Sequence, residues 1–328
     1  MDIFELMKRS YELLKQNLVL FLPPLVLTYL APVAMGIAAL YILVPVLVIA
    51  GNSPTPIISL IGGGVTGGII ILILGVIIFA AIIAGMSNLN KTALLTGETR
   101  FEDFKTGVRR YFGRILGGVV LLAVIYLLLF FIGVGAAAAM IFSAIKGLLT
   151  PELLQQGTPK VFEGGLPKLF ELFPKIGWPM LLKTIFRVFA NFTGVALILI
   201  TLAALIFIFT LFWIPAAVVD DLGVFKAIRR SVSFVKGNFY TTIGYVGLYI
   251  VAQLFTGRIF PGGGGGGGGG GPQGGYGFSL VIPPALEAIF QILIVTFFAL
   301  LLFAIYADRT GKLQPVRRRG RPRKETRG

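Results

Sequence analysis

The chain has 328 residues, 56% of them hydrophobic and only 13% charged, with no cysteine and no histidine, and its mean hydropathy is +0.90. This balance excludes an ordinary soluble domain, and the missing residue types exclude disulfides, thiolate nucleophiles, imidazole bases and the commonest zinc ligands. The formal charge of +15 would suggest nucleic acid in a soluble protein, but in a membrane chain the position of each cation says more than the sum.

The first seventeen residues read as an amphipathic helix. Ile3, Leu6, Met7, Ser10, Leu13 and Leu14 recur at helical spacing, and Lys8, Arg9, Glu12 and Lys15 fall on the other face. This pattern suits a helix lying in the membrane interface, its apolar stripe in the acyl boundary and its cations reaching phosphates. Asn17 is placed to cap the span after it.

Six apolar segments then succeed one another, at about residues 18–50, 57–90, 115–145, 185–218, 238–257 and 280–307. Each reaches the roughly 20 residues that a helix needs to cross about 30 Å of hydrocarbon, where only internally bonded backbone is tolerated. The first is too long for a secretory h-region of about 7–15 residues and is expected to be a retained span. Its excess length is absorbed by tilt or by breaks at Pro23, Pro24, Pro32 and Pro45.

The pattern Phe-x4-Arg-Ser-x4-Lys-x-Asn of Phe4 to Asn17 returns at Phe225 to Asn238, directly before the fifth span. There Val224, Ala227, Ile228, Ser231, Phe234 and Val235 form the apolar stripe, opposite Arg229, Arg230, Ser233 and Lys236. A fainter copy begins at Phe101, where Phe104-x4-Arg109 fits and Arg110 stands in the place of Ser. Three parallel repeats are therefore expected, each an interfacial helix, a span out and a span back, over about 1–97, 98–221 and 222–308. Thr96-Gly97, Gly223 and Thr310-Gly311 mark the ends of the return spans.

With six spans, both termini and the second and fourth connections share one side. That side holds 22 of the 29 basic residues, so the positive-inside rule places both termini in the cytoplasm. Gly63-x3-Gly67, Gly64-x3-Gly68 and Gly113-x3-Gly117 are expected to let helices approach closely.

The outer connection from Lys146 to Lys183 contains Leu166, Leu169, Phe170, Leu172 and Phe173, the pattern of a short helix on the membrane surface. The second outer connection, residues 258–278, encloses ten glycines between Pro261 and Pro272. With neither a strand before it nor a lysine within it, this run is a flexible linker rather than a phosphate loop.

Polar residues inside the spans are the candidates for a site. Lys183, Arg187 and Asn191 share one helix face, Glu287 and Gln291 another, and Gln253 lies late in the fifth span. All sit toward the outer leaflet, as interfacial charges or as a polar vestibule for an anionic or zwitterionic ligand. Arg9, Lys15, Arg109, Arg230 and Lys236 are the expected interfacial anchors. In the tail, residues 309–328, Arg319-Gly320-Arg321-Pro322 resembles the core of an AT-hook. A basic cluster beside a span more commonly contacts anionic headgroups, so nucleic acid is not the expected partner.

The stretch Trp213-Ile-Pro215, Asp220-Asp-Leu-Gly223, Ala227 and Arg230-Ser231-x4-Lys236-Gly237-Asn238-Phe239 resembles six-span membrane families related to the membrane domain of bacterial glycerophosphodiester phosphodiesterases. The resemblance implies membrane location and fold. Catalysis in those enzymes belongs to a separate soluble domain, so it brings no catalytic residue to this chain.

The expectation is an all-α polytopic membrane bundle over residues 1–308, without enzymatic activity, cofactor or metal, that organises the membrane, acts as an accessory subunit, or passes a small or lipid-like solute. Its partners would be the bilayer, anionic headgroups and a further membrane protein. The alternatives are a lipid-directed enzyme using Glu287 and Arg187, and a membrane-tethered DNA contact through the tail.

Overall fold

The computed structural model describes residues 1–52, 56–148, 178–259 and 284–313. The described residues are helical, without strands, and six helices are long and apolar enough to cross a membrane. The chain is an all-α helical membrane protein. It divides into two compact units, Met1–Val119 with Phe209–Gly328, and Val120–Ile208, and these boundaries do not follow the repeat boundaries.

Helix α1 is Ile3–Gln16, begun by Asp2, whose carboxylate accepts from the Ile3 amide. A tight 3-10 turn at Leu18–Phe21, a short α2 at Leu22–Leu25 and a widened π turn at Val26–Leu30 lead into α3, Ala31–Gly51. Pro23 and Pro24 occupy the first turn of α2, where a missing amide costs nothing. The π turn comes directly before Pro32, whose ring would press on the carbonyl one turn back in a regular helix. The prolines therefore reshape the start of the first span.

Helix α4 is Pro56–Thr96 and α5 is Phe101–Leu148. After the connection at 149–177 come α6, Trp178–Thr210, the short α7, Trp213–Val219, and α8, Val224–Gly237. The last spans are α9, Phe239–Ile259, and α10, Pro284–Arg309.

Asn17 and Asn238 end α1 and α8 in non-helical conformation. Neither side chain caps the next helix as the sequence led us to expect. Each turns back instead, Asn17 to the Leu13 carbonyl at 2.9 Å and Asn238 to the Phe234 carbonyl at 3.1 Å. The third copy has no such break, and its interfacial segment continues into the span as one helix.

Burial explains the difference. The buried positions Leu6, Ser10 and Leu14 of α1 correspond to Gly107, Tyr111 and Ile115 of α5 and to Ala227, Ser231 and Val235 of α8. The third copy is thus aligned one residue beyond the sequence pattern. Its basic pair Arg109-Arg110 then matches Lys8-Arg9 and Arg229-Arg230, and Tyr111 takes the Ser position. Gly118 falls where the other copies have Asn, and offers no side chain to arrest the helix. A Cβ there would collide with the indole of Trp213.

In the first unit each interfacial segment rests on the return span of the repeat before it. The start of α5 lies so close on α4 that a Cβ added to Gly85 would collide with the Phe104 ring and one added to Gly107 with Asn88 Cβ and the Ala84 carbonyl. Helix α8 lies on α7, and α1 lies on α10. The return spans also end alike. Ala93, Ala217 and Ala307 are buried, and four residues later Gly97, Asp221 and Gly311 have φ of 82°, 57° and 70°. Glycine enters this left-handed region without penalty, and Asp is among the few other residues that visit it.

The glycine pairs singled out in the sequence contribute unequally. Gly64, Gly68 and Gly113 have open space around them, a Cβ added to Gly63 would collide with Val46, and one added to Gly117 would lie 3.3 Å from Val224. The tight crossings of the first unit are at Gly63, Gly75, Gly85, Gly107 and Gly118. Its largest fully buried side chains include Tyr111, Tyr306, Phe212, Leu6, Leu89 and Ile305, which gather at the basic ends of the helices. The halves of the spans away from those ends carry exposed hydrophobics such as Leu40, Leu72 and Phe255, as lipid-facing helices do.

In the second unit α5 and α6 enclose an apolar groove of about 450 Å³ between Tyr126, Phe130, Gly133, Phe192, Leu199 and Ala203. The Tyr126 hydroxyl donates to the Ala203 carbonyl at 3.4 Å.

Candidate functional site

The charged side chains of the first unit converge where the interfacial helices meet the return spans. Asp220, 11% exposed, accepts Tyr306 Oη at 2.6 Å and Lys312 Nζ at 2.5 Å, and lies 3.6 Å from Arg230 Nε. Its neighbour Asp221 accepts Arg110 at 2.7 Å and Arg114 at 2.5 Å. The hydrogen bond from Arg110, and then that from Arg114, hold the Asp221 carboxyl below the usual carboxylate range.

A lysine secures the end of α7. Lys91 Nζ lies 2.7 Å from the Val218 carbonyl and 3.2 Å from Tyr111 Oη, and Tyr111 donates to the same carbonyl at 3.3 Å. A cation at a helix C-terminus meets the negative end of the helix dipole.

Helix α1 is tied in by its own polar residues. Asn17 donates to the Gly97 carbonyl at 3.1 Å and accepts the Thr99 amide at 2.8 Å, bracing the turn between α4 and α5. Arg9 donates to the Leu94 carbonyl at 3.4 Å. Burial lowers the Arg9 pKa, and the negative charge of Asp308 opposes that shift. Asp308 also pairs with the amine of Met1 at 3.2 Å.

The repeated serine behaves differently in its two copies. Ser231 donates to the Phe209 carbonyl at 2.8 Å and accepts the Phe212 amide at 3.1 Å, closing the break between α6 and α7. Ser10 is equally buried, yet its hydroxyl has no hydrogen-bond partner. Helix α10, on which α1 rests, is continuous from Pro284 to Arg309 and frees no backbone group for it. Both amide atoms of Asn90 are likewise buried without a partner.

The expected interfacial anchors divide into two groups. Arg9 and Arg230 turn inward, to Leu94 and Asp220. Lys15, Arg109 and Lys236 are exposed and make no ion pair among the described residues. The candidate vestibule divides as well. Gln291 donates to Gln253 at 3.3 Å, and the Gln253 amide nitrogen is otherwise buried and unpartnered. Glu287, one turn from Gln291, belongs to the same unit. Lys183, Arg187 and Asn191 belong to the second unit, exposed along α6. No ion pair joins any of these charged residues among those described. Nor does any His, Cys, Asp or Glu cluster suited to a metal occur there.

The surface helix expected between Lys146 and Lys183 falls largely outside the described residues, as do the glycine run at 262–271 and the tail tetrad Arg319, Gly320, Arg321 and Pro322. Sequence reasoning missed Asp220, Asp221, Lys91, Tyr111 and Tyr306. The adjacent carboxylates after a long apolar run were the available signal, since most other acidic residues of the chain are scattered among cations.

Fold and site together define a multi-pass helical membrane protein whose charge network binds interfacial helices to span ends. No protein-family model matches the chain, and neither the curated proteins nor the solved structures yield a match.

Proposed function

We propose that the chain is a non-catalytic multi-pass protein of the cell membrane, with both termini in the cytoplasm, that organises the surrounding bilayer or a membrane partner through a fixed collar at its cytoplasmic face. The carrying observation is how its carboxylates are used. Asp220, Asp221 and Asp308 each hold a cation at a helix end, which gives these carboxylates a structural task. The excess of basic residues on that side supports the orientation. The likeness to membrane domains of glycerophosphodiester phosphodiesterases rests on residues 213–240, implies membrane location and fold, and transfers no catalytic residue.

A second possibility, passage of lipid-like molecules, is favoured by one observation. The groove between α5 and α6 lies along membrane-spanning helices, and its volume of about 450 Å³ falls in the range of small-molecule sites. The purified protein in unilamellar vesicles separates the two. Organisation predicts a change in acyl order, measured by probe anisotropy, with headgroup-labelled phospholipid crossing no faster than in empty vesicles. Accelerated crossing would overturn the first role and support the second.

A further inference from the structure

The residue that opens both strong copies of the repeat is not in the core. Phe4 is 71% exposed and Phe225 is 76% exposed, although the same side chain recurs at the same place in each. An apolar side chain kept outside twice has a use outside.

Successive residues of a helix are separated by about 100°, which orders the exposed side chains around each axis. The face of α1 formed by Leu6, Ser10, Leu13 and Leu14 is buried in protein, not in lipid. Beyond it comes a second apolar stripe, Phe4 and Tyr11, exposed by 71% and 58%. Next come Lys8 and Lys15, and then Glu5 and Glu12. Helix α8 repeats the order, with Phe225 and Val232, then Arg229 and Lys236, then Lys226 and Ser233. The first turns of α5 keep it in outline, with Phe101 and Phe112 followed by Lys105 and Arg109, and with Lys105 Nζ 5.2 Å from the Phe101 ring centre.

The sequence apolar, basic, polar around an exposed surface matches the order acyl chain, phosphate, water across one leaflet. The basic pairs share the labour. Arg9, Arg110 and Arg230 are engaged with protein groups, whereas Lys8, Arg109 and Arg229 are exposed and make no ion pair among the described residues. Resting on the proposed membrane-organising role, we infer that these outward faces are binding sites for anionic phospholipids. Lys8 with Lys15, and Arg229 with Lys236, hold the phosphates, while Phe4 and Phe225 enter the acyl layer beside them.

The test uses the full chain in detergent, titrated with phosphatidylglycerol or phosphatidylcholine and read by native mass spectrometry. The unaltered protein is expected to prefer phosphatidylglycerol. The variant Lys8→Gln, Lys15→Gln, Arg229→Gln, Lys236→Gln should lose roughly tenfold or more of that affinity, with unchanged melting in phosphatidylcholine. Phe4→Ser with Phe225→Ser should weaken both lipids and keep their ratio. A chain ending at residue 313 should retain the preference. Equal binding of the two lipids, a preference surviving the fourfold neutralisation, or one that disappears with the tail would overturn the assignment. These outcomes are independent of lipid crossing, which tests the broader role.

Discussion

The two copies of the repeated serine should respond to the same substitution with opposite sign. Ser231→Ala removes the acceptor of the Phe212 amide and the donor to the Phe209 carbonyl. Phe212 is fully buried, so its amide is left unpaired in a dry environment, at a cost of about 1–3 kcal/mol. For a chain of 328 residues each kcal/mol moves the melting midpoint by roughly 1–2 °C. Ser10→Ala removes a hydroxyl that is buried and has no partner, which is neutral or stabilising because no hydrogen bond is lost. Thermal unfolding in nanodiscs, followed by intrinsic fluorescence, measures both, and Trp213 reports directly beside the Ser231 contact. Equal destabilisation by the two substitutions would refute this account of the break between α6 and α7.

Three further outcomes derive from the packing. Gly107→Ala should cost about 1–3 kcal/mol, since its Cβ would meet Asn88 Cβ and the backbone of α4, while Gly113→Ala, in open space, should leave the midpoint unchanged in the same assay. Asn90→Leu, nearly isosteric, should raise the midpoint by replacing an amide buried without partners. Asp221 has a lowered folded-state pKa, so its contribution is complete above the ordinary carboxylate range near about 4. It is lost as pH falls through the lower folded value, and Asp221→Asn should flatten that part of the stability profile.

Much of the fold was legible because membrane helices are announced by composition. Six spans and two interfacial helices emerge from apolar runs and from the spacing of residues such as Leu6, Ser10 and Leu13. What covers a stripe is not encoded in its periodicity, so the same residues that suited an acyl boundary proved to pack on α10 and α7. The third repeat was misaligned by one residue because Arg109 and Arg110 both satisfy the motif, and only burial of Tyr111 distinguishes them. The charge network was harder to see. Asp220 and Asp221 are adjacent in sequence yet serve different partners, from Arg230 to Arg110, because Asp221 adopts a left-handed conformation. The vestibule residues are near in hydropathy profile but fall in different compact units.

The most direct test of the central claim is the depth of the repeated phenylalanine. Phe4→Trp and Phe225→Trp, compared with the parent chain in vesicles, should add fluorescence that is blue-shifted and quenched by phospholipids brominated along the acyl chain. Added fluorescence quenched instead by aqueous iodide, and indifferent to brominated lipid, would contradict a collar seated in the membrane interface.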